Sequence, residues 1–178
     1  MNTRLVGSEM CIRDRLKIIG LSLENILSDF DKRKRLDHRV EKFLTFNGIK
    51  FINDSKSTNA DSTSNALKSV GNNIILIMGG DNKIMSYKTL KKLINEKVKI
   101  LVMIGDNKDD LDKLLHVNTN KVFYEDLEDA ISYVFSVMAP GDTVLMSPGT
   151  SSYCMYDNYQ HRGNHFKELV KKYASQQN

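Results

Sequence analysis

The 178-residue sequence is short of cysteine, of long apolar runs and of the glycine patterns that cradle phosphates. Its two cysteines, Cys11 and Cys154, are too few for a disulfide framework or a cysteine metal cluster, and they point to a reducing, cytoplasmic compartment. No stretch approaches the roughly 20 apolar residues that a membrane-spanning helix needs. The N-terminus lacks the basic-then-apolar order of a signal peptide. No G-x-x-x-x-G-K-[ST] occurs and no G-x-G-x-x-G follows a strand, which counts against a P-loop and against a dinucleotide fingerprint. The net charge of +4 is mild and dispersed, giving little reason to propose nucleic acid. The one basic run, Lys32-Arg33-Lys34-Arg35, reads as a solvated helix end. No Ser/His/Asp or Cys/His nucleophilic set is apparent. His38, His116, His161 and His165 have no spacing that implies a metal site, and each is expected at the surface.

What remains is ordinary globular composition, 40% hydrophobic and 27% charged, at a length suited to one domain with a full core. The first 15 residues are set apart. Met10-Cys11-Ile12-Arg13-Asp14-Arg15 back-translates to ATGTGTATAAGAGACAG, a sequence resembling the transposase end used in preparing sequencing libraries. Residues 1–15 are therefore expected to be an assembly scar, and Cys11 no part of the protein. Leu16 to Phe30 has helical spacing (Ile19, Leu23, Ile26, Leu27, Phe30) but little to pack on, as expected for the tail of a preceding domain. Residues 31–37 read as a linker, and the domain proper is expected over 36–178.

Val40 to Phe46 alternates, placing Val40, Lys42, Leu44 and Phe46 on one face, and Asn47-Gly48 is a strong hairpin signal before a return strand at Ile49–Ile52. Three continuous apolar runs, at 74–78, 100–104 and 143–146, suit strands buried on both faces. Helical patterns separate them at 60–70, 87–96, 108–115 and 127–138, with a brief strand at 122–123 and a last helix at 165–173. This alternation predicts an α/β fold: a mostly parallel, Rossmann-like sheet with helices on both faces, opened by a β-hairpin. Right-handed crossovers would then bring the loops at Asp54, Asp81, Asp106 and Ser147 to one sheet edge.

The richest of these loops is Asn53-Asp54-Ser55-Lys56-Ser57-Thr58-Asn59, between a strand end and a helix start, where open α/β sheets hold their ligands. A capped turn, with Asp54 or Ser55 as N-cap, is the simpler reading. Together the loops offer Lys56, Lys83, Asp54 and Asp81, with the hydroxyls of Ser55, Thr58, Ser147, Thr150 and Ser152. That set suits an anionic ligand bearing hydroxyls. Gly79-Gly80 allows close backbone approach.

His38-Arg39-Val40-Glu41, the 53–59 loop, Gly79-Gly80-Asp81-Asn82-Lys83, Ser147-Pro148 with Ser152, and Asn158 to Phe166 occur in the order seen in the C-terminal domain of the Mur ligases. The resemblance runs from His38 to about Tyr173. Within that family the blocks look like the branch that adds D-glutamate to UDP-N-acetylmuramoyl-L-alanine. The resemblance implies ATP-dependent amide ligation in cytoplasmic peptidoglycan synthesis: ATP phosphorylates a carboxylate, the D-glutamate amine attacks the acyl phosphate, and Mg2+ balances the phosphate charge. It implies that ATP and Mg2+ are held mainly by a central domain, so this chain is expected to be inactive alone, and a monomer without nucleic-acid or membrane partners. By the same resemblance Arg39 looks like a phosphate contact and Asp54 a ribose contact, while Lys56, Thr58, Lys83, Ser152, Tyr153 and Tyr159 resemble the D-glutamate contacts. Tyr153 and Tyr159 stand where Leu and Phe are commoner, and Tyr159 has a plain core role as its alternative. Arg162 and Asn164 read as structural, fixing the last helix against the sheet. Two other readings stay open: a folylpolyglutamate-synthase-like ligase domain, against which the 53–59 block speaks, and a nucleotide-binding module without catalysis.

Overall fold

The three apolar runs lie side by side in one sheet. The structure, a computed structural model, describes residues 36–80, 88–106, 108–152 and 155–177. These all belong to one unit, Leu36–Asn178. The expectations for residues 1–35, and those for Asp81, Asn82, Lys83, Tyr153 and Cys154, fall outside the described residues.

The elements run β1 (Glu41–Phe46), β2 (Ile49–Asn53), α1 (Ala60–Ser69), β3 (Ile74–Gly79), α2 (Lys88–Lys97), β4 (Val98–Ile104), α3 (Lys108–Leu115), β5 (Asn120–Tyr124), α4 (Leu127–Val137), β6 (Thr143–Met146) and α5 (Tyr159–Gln176). The sheet order is β1-β2-β6-β3-β4-β5. Only the β1–β2 pair is antiparallel; the other pairs are parallel. Asn47 and Gly48 both take positive φ (47° and 76°), as the tight Asn-Gly hairpin requires. The expected α/β fold, with its hairpin opening and mostly parallel sheet, is the observed one.

The period of two along each strand divides the core into two layers. Phe51, Ile75, Ile77, Val102, Val144 and Met146 face α4 and α5. Ile52, Leu76, Met78, Leu101, Met103 and Leu145 face α1, α2 and α3. Each such side chain contributes about 1.5–3 kcal/mol by leaving water. Helix starts are set by local chemistry: Asn59, Asp126 and Asn158 each accept from the backbone N–H three residues on. The N-cap of α1 is thus Asn59, which frees Asp54 and Ser55 for other partners. At the other end of α1, Lys97 Nζ donates to the Leu67 and Val70 carbonyls at 2.8 and 3.0 Å.

Two local expectations are overturned. Val40 is not a strand residue: its φ is 42°, and the register of β1 slips between Lys42 and Leu44. The bulge breaks the alternation, so Lys42 is exposed, while Phe43 turns inward, 5.5 Å from the Phe166 ring. The last helix begins at Tyr159, not His165, because Asn158 caps it and Gly163 is accommodated inside it. Glycine is a weak helix former, and Gly163 lies ahead of the expected start. A Cβ there would strike the His38 ring and lie 3.0 Å from Asn53 Nδ2, so the glycine serves close packing rather than a turn.

Candidate functional site

Parallel pairing sends the ends of β2, β3, β4 and β6 to one edge, and the backbone stitches the loops there together. Asp54 N–H donates to the Met146 carbonyl (2.8 Å), Gly79 N–H to Pro148 (3.1 Å) and Gly149 N–H to Ser57 (3.0 Å). Gly79 and Gly80 do permit close approach, but of protein: a Cβ on Gly79 would meet the Ile104 carbonyl, and one on Gly80 the Ser151 carbonyl.

On the α5 side the 53–59 loop is closed. Arg162 is 1% exposed and reaches from α5 beneath two loops. Its Nε donates to Ser55 Oγ (3.0 Å), one terminal nitrogen to the Ser55 carbonyl (2.9 Å) and the other to the Ser151 carbonyl (3.2 Å). Ser55 Oγ donates in turn to the Tyr159 carbonyl at 2.7 Å. Asn53 is fully buried; its Nδ2 lies 2.8 Å from His38 Nδ1 and donates to Gly163 O, while its Oδ1 accepts from Ser55 N–H. Asn53 is the donor toward His38, so Nδ1 is the unprotonated nitrogen of that ring. His38 is 6% exposed, against the surface position expected for it. Burial lowers its pKa, with Lys167 acting the same way. His38 N–H donates to Glu41 Oε2 at 3.0 Å, and Lys167 Nζ stands 3.2 Å from Oε1. Burial pushes the Glu41 carboxyl up, but that N–H and the ammonium outweigh it and hold the pKa below the ordinary value.

On the α1 side the same loop opens onto a cavity of about 350 Å3, lined by Arg39, Asp54, Lys56, Ser57, Ser62 and Asn65 among others. That is within the usual size of small-molecule sites. Arg39 is exposed between two residues of positive φ, His38 (63°) and Val40 (42°). A β-branched residue rarely adopts that conformation. It is held by Asp54, whose Oδ1 accepts from Val40 N–H at 3.1 Å, and by Lys56 N–H donating to the His38 carbonyl at 3.1 Å. Asp54 Oδ2 accepts from Ser147 Oγ at 2.7 Å. Burial raises the Asp54 pKa, against the hydrogen bonds from Ser57, Ser147 and Val40 and the charge of Arg39.

The residues singled out from the sequence fall as follows. Arg39, Asp54 and Lys56 share the cavity. Lys56 Nζ sits 5.3 Å over the Tyr159 ring, whose edge contact with His38 spans 5.9 Å between centroids. Thr58 is half-buried ahead of α1. Ser152 is buried, its carbonyl accepting from Met155 and Tyr156 N–H. Thr150 Oγ1 is buried with no hydrogen-bond partner among the described residues. Lys83 and Tyr153 lie outside those residues. Asn164 is exposed, and nothing in the structure explains it as a fixing residue. Sequence reasoning missed the cavity's third wall: Ser62, Asn65 and Ser69 form a polar stripe at i, i+3 and i+7 on α1.

The sequence model of the family described as "Mur ligase, glutamate ligase domain" matches residues 38–149. Among curated relatives, the UDP-N-acetylmuramoylalanine–D-glutamate ligase of Caldicellulosiruptor saccharolyticus is 40% identical over 154 residues, covering 84% of this chain and 33% of that protein. The protein of the same name from Fervidobacterium nodosum is 38% identical over 159 residues, covering 88% of this chain and 37% of the relative. The chain thus spans about a third of the length of these relatives. Among solved structures, the MurF ligase of Thermotoga maritima in complex with ADP superposes with a TM-score of 0.60 at 12% identity, over 95% of this chain and 37% of that one. At that identity the likeness speaks for the fold.

Proposed function

The chain belongs to the Mur ligases, matching their glutamate ligase domain, and from that premise we propose that it is the part of a D-glutamate-adding ligase that binds the incoming amino acid and completes the nucleotide site. The observation that carries this is the convergence of Arg39, Asp54 and Lys56 on one cavity at the sheet edge. In this reading ATP phosphorylates the carboxylate of UDP-N-acetylmuramoyl-L-alanine on the rest of the enzyme, and the D-glutamate amine attacks the acyl phosphate, a step of peptidoglycan synthesis in the cytoplasm. The residues present fit a nucleotide. Arg39 offers a fork of donors to phosphate, Ser57 and Ser62 add hydroxyls, and the carboxylate of Asp54 has lone pairs left for ribose hydroxyls. They do not fit a metal: among the described residues no group of three or more His, Cys, Asp or Glu could hold one.

D-Glutamate carries two carboxylates and one reacting amine. In this reading Lys83 is a main charge partner of the substrate, and Lys56, 5.3 Å over the Tyr159 ring, supports it. On the same reading Thr58 and Ser152 supply hydrogen bonds, and Tyr153 and Tyr159 belong to the same set of substrate contacts. Charge-assisted bonds of this kind are the strong ones. The chain alone is expected to release no phosphate from ATP with both substrates present, since its sequence holds no phosphate-cradling loop.

The test is a titration of the 178-residue chain with ADP and, separately, with D-glutamate, followed by amide NMR. ADP is expected to shift residues around Arg39, Ser57 and Ser62, and D-glutamate those around Lys56, Thr58 and Tyr159. Arg39→Ala should abolish the first set only. D-Glutamate shifts that are absent, or equalled by those from L-glutamate, would remove the substrate reading.

A further inference from the structure

The helix start at Tyr159 brings His161 onto the same helix as His165, where the sequence pattern had not placed it. With α5 beginning there, His161 and His165 stand four residues apart, one turn along the same face of one helix. Two histidines at that spacing on a helix can bind one ion together.

Each ring is already held by its other nitrogen. His161 Nδ1 lies 3.1 Å from Asp157 Oδ2. An ionised carboxylate only accepts, so Nδ1 carries a proton, and the neutral ring has its lone pair on Nε2. His165 Nδ1 lies 2.9 Å from the Tyr156 hydroxyl. Both rings pack around Tyr156, at 5.4 and 5.7 Å between centroids. The Tyr156 hydroxyl can accept as well as donate, so an ion at His165 Nε2 selects the tautomer in which Nδ1 donates to that hydroxyl, the arrangement that orients histidines bound to metals.

We propose that His161 and His165 form a chelating pair, through their Nε2 atoms, for a divalent transition ion of the zinc, nickel or cobalt class. Imidazole suits these ions, while Mg2+ and Ca2+ require oxygen ligands and are refused. The pair supplies two protein ligands and water fills the remaining positions, so the bound ion exchanges readily. The first turns of a helix disfavour a cation, and the Asp157 carboxylate beside His161 offsets that. An ion held here braces the start of α5 and the Tyr156 segment, whose N–H donates to the Ser152 carbonyl at 2.8 Å.

The experiment uses the full 178-residue chain with Cys11 and Cys154 alkylated, titrated with Ni2+ by calorimetry and by NMR of the histidine rings. One ion per chain is expected, with the His161 and His165 ring signals broadening ahead of those of His38 and His116. His161→Ala and His165→Ala should each weaken binding by at least about tenfold, and Asp157→Asn by about tenfold through the orientation it imposes. His116→Ala should stay within about twofold, and Mg2+ should not compete. Equal broadening of all four histidines in the unmutated chain, or His161→Ala binding within about twofold of the parent, overturns the proposal. The first readout needs no variant to fold.

Discussion

The two sides of the 53–59 loop are built on opposite terms. Facing α5, Asn53, Ser55, His38 and Arg162 are buried and spend their polar atoms on one another and on backbone carbonyls. Facing α1, Arg39, Lys56 and Ser62 keep charge and hydroxyls beside an open cavity. One stretch of chain thus separates a sealed scaffold from an open, charged cavity within a few residues. Substitutions on the closed side should cost stability, and those on the open side should cost ligand and leave the fold intact.

The sharpest way to break that contrast is Arg162→Met. It strands carbonyls of Ser55 and Ser151 in a buried setting, and a loss of about 3–5 kcal/mol is expected in urea denaturation. A loss below about 1 kcal/mol would mean that water replaces the guanidinium, and that the closed side is not closed.

Gly163→Ala comes next. Its Cβ would strike His38, and overpacking of this kind costs about 1–3 kcal/mol. Combining it with His38→Ala should recover part of the loss, a coupling that a double-mutant cycle reads directly.

A smaller effect is expected from pH. The folded-state pKa of His38 lies below its ordinary 6.5. Its contribution is therefore complete above pH 6.5 and is lost as pH falls through the folded value. Stability should decline as pH falls below 6.5 toward the folded value, and His38→Gln should flatten that decline. Asp54 runs the other way: its raised pKa means that ionisation costs stability as pH rises through the folded value from its ordinary 3.8. An unchanged slope in His38→Gln would assign the acid loss elsewhere.

The smallest stability change is expected for Arg39→Ala, within about 0.5 kcal/mol of the parent, although the ADP response should vanish. A large destabilisation would place Arg39 with the scaffold and erase the distinction.

Much of this division was legible in the sequence, for physical reasons. The apolar runs at 74–78, 100–104 and 143–146 suit strands buried on both faces, and Asn47-Gly48 favours a tight hairpin, so the sheet and its loop-bearing edge followed. The polar loop was visible because seven polar residues interrupt an apolar strand. Which side of it would be sealed was not visible. That depends on Arg162, more than a hundred residues downstream in sequence from Ser55, and no local pattern reports such a partner. His38 was expected at the surface with the other histidines, whereas the absent side chain of Gly163 makes room to bury it. The helix start at Tyr159 was hidden by that same glycine, whose propensity cost is outweighed by tertiary packing. The bulge at Phe43 has no sequence signature beyond the aromatic residue that it turns inward.

The strand order carries a consequence for how the molecule is made. β6 is inserted between β2 and β3, and pairs with both. Until residues 143–146 have left the ribosome, the β1–β2 hairpin has no parallel neighbour to join, and the 53–59 loop must wait for α5, more than a hundred residues later, before Arg162 can seal it. Closing so long a stretch is slow compared with local pairing. A nascent chain halted before β6 would carry the β2 edge unpaired and open to aggregation. Residues 147–176 therefore set the moment at which this domain becomes both folded and fit to bind.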